Sequence, residues 1–185
     1  MELTKGANLT LGTTTGDHAI GSLLLGLDWE SGDLECDVCA LVCGPDRKVL
    51  DDDHFLYWDN TVSPQRTVFL RSATEDQADA QDRAQVLVNV AELPEQVDRI
   101  LVVLATVVDG GKFDVLKTVR LRVLDLQDGR GVADFSTGQA FSNETCVIVG
   151  ELYRNKGDWK LRAVGQGYQS GLAGLGSEYG VNITD

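Results

Sequence analysis

Four carboxylates fall close together in "LRSATEDQADAQDRAQVLVNV": Glu75, Asp76, Asp79 and Asp82, just before an apolar run. Acidic side chains at that density suit a hard cation. Calcium takes six to eight oxygen ligands from carboxylates, amides and backbone carbonyls, held in a loop that can wrap the ion. Further oxygen donors lie in "DWESGDLECD" (Asp28, Glu30, Asp33, Glu35, Asp37), "DDDH" (Asp51 to Asp53), "YWDN" (Asp59, Asn60) and "VVDGGKFD" (Asp109, Asp114). None of these stretches has EF-hand spacing, and each taken alone reads as a solvated turn. In the first stretch Ser72 and Glu75 have the spacing of a capping box, and Asp79 and Arg83 form an i,i+4 pair, so the local pattern is one or two turns of exposed acidic helix. It lacks the glycines that let a chain bend back around an ion.

Other chemistries find less support. Three of the four cysteines lie in "CDVCALVC", where Cys36 and Cys39 form a C-x-x-C. Zinc would need a second pair or suitably spaced histidines, and His18 and His54 do not supply them. As a strand, the segment points Cys36 away from Cys39, while Cys39, Leu41 and Cys43 share a face. These are the positions of structural thiols. There is no phosphate-binding P-loop and no G-x-S-x-G, and "GQGYQSG" departs from the dinucleotide fingerprint. The sequence is therefore read as non-enzymatic.

The net charge of −13 opposes binding to nucleic acid or anionic lipid and suits cations or basic partners. The start, "MELTKGANLTL", has no basic segment leading into an apolar one, which leads us to expect a cytoplasmic protein. The longest strongly apolar run, "ILVVLATVV", is too short to cross a bilayer as a helix but fits a buried strand.

These side chains must be carried by strands. Punctuation comes from 20 glycines against 3 prolines, and between the breaks lie short runs such as "LLLGLDW", "CDVCALVC", "HFLYW", "TVFL", "QVLVNV" and "TCVIVGELYR". In "KTVRLRVLD", Val119, Leu121 and Val123 face one way while Arg120 and Arg122 face the other. "YRNKGDWKL" reads as a hairpin turning at "NKGD". A helical turn is expected over "ELPEQVDR" with Pro94 in its first position, and a short helix over "SGLAGLGSEYG". The expected fold is all-β dominated, a β-sandwich of two mostly antiparallel sheets with a few short helices, in a single domain over residues 1–185.

"LTKGANLTL", "GLDWE", "KVLDDDHFLYWDN" and above all "VGELYRNKGDWKLRAVGQGYQSGLAGLGSEYGV" resemble the TerD family of tellurium-resistance and stress proteins, over nearly the whole chain. The resemblance implies a bacterial, cytoplasmic β-sandwich that acts as a binding or scaffold protein without catalytic residues. Its partners would be other proteins of a stress-response complex, with membrane association only through them.

The resemblance also implies calcium sites. The family's G-D-N-x-T-G-x-G-x-G-D-D-E stretch falls on "SATEDQADAQDRA". There G-D-N lands on Ser72, Ala73 and Thr74, and D-D-E lands on Asp82, Arg83 and Ala84, so only Asp82 stays in register. The family's D-L-D falls on Glu35, Cys36 and Asp37, its N-N on Asp59 and Asn60, and an acidic position late in the long apolar strand on Asp109. The implied ligand set is Glu35, Asp37, Asp59 and Asn60, helped by Asp76, Asp79 or Asp82, with Asp109 nearby, and with calcium binding weakened or lost at the degenerate loop. Two alternatives stand beside it: a metal-independent acidic module that docks a basic protein, and a nucleotide-like small-molecule binder using a pocket near Trp29, Trp58 or Trp159.

Overall fold

The computed structural model describes residues 1–12, 20–72, 81–138 and 141–183. Its strands are β1 (Glu2–Leu3), β2 (Asn8–Thr10), β3 (Ser22–Glu30), β4 (Cys36–Cys43), β5 (Phe55–Leu56), β6 (Val68–Ser72), β7 (Ala84–Asn89), β8 (Arg99–Thr106), β9 (Thr118–Asp125), β10 (Gly131–Ser136), β11 (Cys146–Asn155) and β12 (Asp158–Tyr168). They form two sheets, ordered β1-β10-β9-β3-β7-β6 and β2-β12-β11-β8-β4-β5. Every pairing is antiparallel except β1 with β10. The expected sandwich of two mostly antiparallel sheets is the fold observed.

Alternation decides what each strand buries. Leu23, Leu25, Leu27 and Trp29 of β3, with Val119, Leu121 and Val123 of β9, point into the space between the sheets. There they meet Val38, Ala40 and Val42 of β4, Ile100, Val102 and Leu104 of β8, and Leu161 and Ala163 of β12. The sheets pack closely at Gly150, next to a bulge in β11, where a Cβ would run into the Leu121 side chain of the facing sheet. The β11–β12 hairpin turns at Lys156 and Gly157, both with positive φ (53° and 91°), between the paired Asn155 and Asp158. This is the turn the sequence predicts.

The apolar run of β8 needs a second explanation, because its alternate residues face away from the core. Leu101, Val103 and Ala105 join Cys39, Leu41, Cys43, Cys146 and Ile148 on the outer face of the second sheet. The helix α1 (Gly171–Glu178) covers them, bringing Leu172, Leu175, Tyr179 and Val181. Gly174 and Gly176 weaken that helix by about 1 kcal/mol each relative to alanine, whereas burying one leucine contributes about 1.5–3 kcal/mol, so packing wins over propensity. The Val49 amide, donating to the Tyr179 carbonyl at 2.8 Å, fastens the helix end to the loop after β4.

Two local expectations need correction. The helical turn near Pro94 lies earlier, as a 3₁₀ turn over Val90–Glu92, and Pro94 opens only a tight turn closed by the Val97 amide at 3.0 Å. Leu93 is extended (φ −61°, ψ 128°) as the residue before Pro94, which separates the two turns. "HFLYW" is a strand only at Phe55–Leu56: His54 ends a 3₁₀ turn (Asp52–His54), and Tyr57 to Asn60 form a turn closed by backbone hydrogen bonds at both ends. The helix expected after Ser72 lies outside the described residues; Ser72 itself ends β6, paired with Ala84. Among the described residues, no helix is long and apolar enough to cross a membrane.

Candidate functional site: an acidic loop end and a carboxylate clamp

Strand directions bring the loops that carry the predicted ligands to one end of the sandwich. β3 ends there at Glu30 and β4 begins there after Glu35, while β8 leaves through the turn that holds Asp109. The Val107 amide donates to the Glu35 carbonyl at 3.2 Å and ties those two loops together. Asp59 and Asn60 sit in the turn just past β5, beside β4. Asp82 lies in the connection from β6 to β7, and Asp76 and Asp79 lie outside the described residues.

The local environments differ. Glu35, Asp59 and Asp109 are exposed. Asp37 is half-buried on the outward side of β4, in line with Cys39 and Leu41, and its carboxyl is raised above the ordinary value, first by desolvation and then by the charge of Glu35. A cation drawn to this pair would relieve both causes. Asn60 uses its amide nitrogen to hold its own turn, donating to the carbonyls of Asp53 (3.1 Å) and Phe55 (2.8 Å), which leaves only its side-chain oxygen for a ligand.

Asp82 has a different role. Its side chain is 1% exposed. Arg122 donates to it from Nε and Nη2, at 2.6 Å each, and the Gln85 amide donates to Oδ2 at 3.0 Å. Gln85, Gly26 and Arg122 are cross-strand neighbours on β7, β3 and β9. The carboxylate lies directly on Gly26, where a Cβ would collide with it. The guanidinium that faces Asp82 is itself held above its ordinary pKa, chiefly by that hydrogen bond. Sequence reading placed Arg122 on an outward face but had no means of pairing it with an acid 40 residues away. Beside this clamp, Arg83 pairs with Asp28 at 3.6 Å and lies over the Trp29 ring at 5.5 Å.

The donor set can be tested against calcium directly. Asp82 lies on the outer face of the first sheet, and Asp37 on the outer face of the second. Packed sheets are about 10 Å apart and calcium–oxygen bonds span only about 2.3–2.6 Å, so these two carboxylates cannot share an ion. Among the described residues, no three acidic, histidine or cysteine side chains are grouped to hold a metal. What remains is the Glu35–Asp37 pair with exposed neighbours, well short of six oxygens. The described residues do not fit a calcium cage.

The long C-terminal motif has a structural explanation. Glu151, almost fully buried on the outer face of β11, pairs with Arg99 and, at 3.5 Å, with Arg162. Arg162 stacks on Tyr153 at 4.8 Å, and Arg154 stacks on Trp159 at 4.7 Å while donating to the carbonyl of Val97 at 2.9 Å. These contacts lock β11, β12 and the Leu93–Val97 segment together.

The cysteines are free thiols. Burial pushes Cys36 up to about 11 and Cys39 and Cys43 up to about 12, and raises Cys146 further, so none is a ready thiolate. The His54 ring is held between Asp51 Oδ1 (2.6 Å) and Gln65 Oε1 (3.0 Å). The three tryptophans do not line a common pocket: Trp29 and Trp159 belong to the core, and Trp58 is 72% exposed.

Comparison with known proteins fits this geometry. A family model described as "TerD domain" matches residues 1–179. The tellurium resistance protein TerD of Serratia marcescens is 29% identical over 193 aligned residues, covering 100% of this chain and 99% of that protein. General stress protein 16U of Bacillus subtilis is 25% identical, covering 99% of this chain and 98% of its own length. A crystal structure of a TerD homologue from Streptomyces coelicolor superposes with a TM-score of 0.65 at 18% identity, over 89% of this chain and all of that one, and so shares the fold.

Proposed function

The chain belongs to the TerD family of tellurium-resistance and stress proteins, and from that premise we propose that it is a stress-response module. It works by binding rather than covalent chemistry, through the acidic loops at one end of the sandwich, and calcium contributes only weakly. The observation that carries this reading is the Asp82 clamp. The one residue that keeps register with the family's calcium loop spends both oxygens on Arg122, leaving Glu35 and Asp37, among the described candidates, as the neighbouring carboxylates with no cation paired to them. The buried thiols and the tethered histidine support a non-catalytic role, since neither offers an activated nucleophile.

Calorimetry of chelator-treated protein with calcium tests this reading, together with melting curves in calcium and in chelator. Heat and a thermal shift only at millimolar calcium support it, and no response at all leaves the metal-independent reading given next. Saturation at micromolar calcium with a shift of many degrees overturns it.

A second reading, also favoured by the clamp, is a metal-independent module whose acidic loops dock a basic protein of a stress-response complex in the cytoplasm. Capture of partners from the native host, with and without calcium, separates the two, because only the first reading makes capture depend on the ion.

A further inference from the structure

The outer faces of the two sheets are finished differently. On the second sheet α1 reduces Leu41, Leu101 and Val103 to 1% exposure or less. On the first sheet, the ladder registers align Leu124, Leu24, Leu87 and Phe69 in one row across β9, β3, β7 and β6. The bridge from Phe69 to Val62 extends that row to the sheet edge. All five side chains are only half-buried. The row spans four strand spacings, or roughly 19 Å.

We propose that this face is where two copies of the chain meet, sheet against sheet, with Leu24 and Leu87 at the centre. Charge selects a second copy as the occupant. Two chains of −13 repel each other over most of their surface. On this face most charges are already compensated: Arg122 pairs with Asp82, Arg120 with Asp134, Lys117 with Glu30 and Arg83 with Asp28, while the exposed Arg71 of β6 and Glu2 of β1 lie outside these pairs, one of each sign. On the other side of the row lie the neutral Ser22 and Asn89, paired with each other. A basic partner would be drawn to the acidic loop end instead, and an anionic membrane would be repelled by the net charge.

The area suffices for a reversible dimer. A face about 24 Å across six strands and about 20 Å along them offers on the order of 500 Å² per copy, and about 1,000 Å² in total is the lower end for a specific interface. An interface at that lower end belongs with weak, transient associations, and area alone does not set the affinity. Because a twofold contact is self-complementary, each leucine row meets its own counterpart.

Sedimentation and light scattering of the full chain, from about 1 to about 300 μM, test the proposal. The wild type is expected to pass from monomer to dimer, and more readily as salt screens the net charge. Leu87→Lys and Phe69→Lys are expected to remain monomeric with melting curves close to wild type, while Trp58→Ala dimerises normally. A wild type that stays monomeric throughout overturns the proposal and leaves the face to another occupant. So does a dimer that survives both lysine variants.

Discussion

Replacing Arg122 with methionine keeps most of the side-chain volume and removes the charge. Asp82 would then be a carboxylate with 1% exposure and only Gln85 as a donor. Removing one partner of a buried ion pair costs about 3–5 kcal/mol, because the remaining charge is uncompensated. Arg122 keeps 20% exposure, and water can reach part of the vacated site, so a loss of about 2–4 kcal/mol is expected. For a chain of this length each kcal/mol moves the melting midpoint by about 2–4 °C, so the variant should melt about 5–15 °C lower. Urea denaturation should show a lower midpoint with an unchanged slope. Asp82→Asn should also destabilise, since it strands the guanidinium. The double variant should lose at least about 1 kcal/mol less than the sum of the singles. Millimolar calcium should restore part of the loss in Arg122→Met, by offering the freed carboxylate another cation. An Arg122→Met variant within about 0.5 kcal/mol of wild type, or a strictly additive cycle, would refute the claim that this buried pair joins the start of β7 to β9.

Asp37→Asn should stabilise the protein at neutral pH, by less than about 1 kcal/mol for so accessible a pair. The folded carboxyl lies above its ordinary value of 3.8, so the stability it contributes is complete below that value and declines as pH rises through the folded one. The advantage of the variant should therefore open above about pH 4 and close below it; a pH-independent difference in melting temperature would count against the assignment. The thiols should resist alkylation at pH 8 in the native state, with Cys36 alone reacting, and slowly. Mass spectrometry showing rapid labelling of Cys39, Cys43 or Cys146 would contradict their burial.

Short-range signals fixed much of this protein. The period-two pattern of β9 set its inward Val119, Leu121 and Val123, and a φ-positive Lys-Gly pair set the β11–β12 turn. The alternation in β4 placed Cys36 toward the core and Cys39 and Cys43 on the opposite face. "HFLYW" misled because aromatic residues suit strands, while the return of the chain at Tyr57–Asn60 depends on Asn60 reaching back to Asp53 and Phe55. Residue type and spacing alone gave only solvated acidic turns; the resemblance singled out the loops of Glu35, Asp59 and Asp82, and strand direction brings those loops to one end.

What each carboxylate faces could be decided only once the chain had folded. The sequence determined that Asp82 is acidic and that Arg122 points outward. Only the pairing of β7, β3 and β9 over a bare glycine brought them together and placed them across the core from Asp37. The sequence likewise made β8 largely apolar, but tertiary contact alone gave α1 to one outer face and left the leucine row of the other half-buried, with no helix over it among the described residues. Local pattern sets which side of a strand a residue occupies; electrostatic pairing and coverage depend on distances between segments far apart along the chain, and those come into existence with the fold.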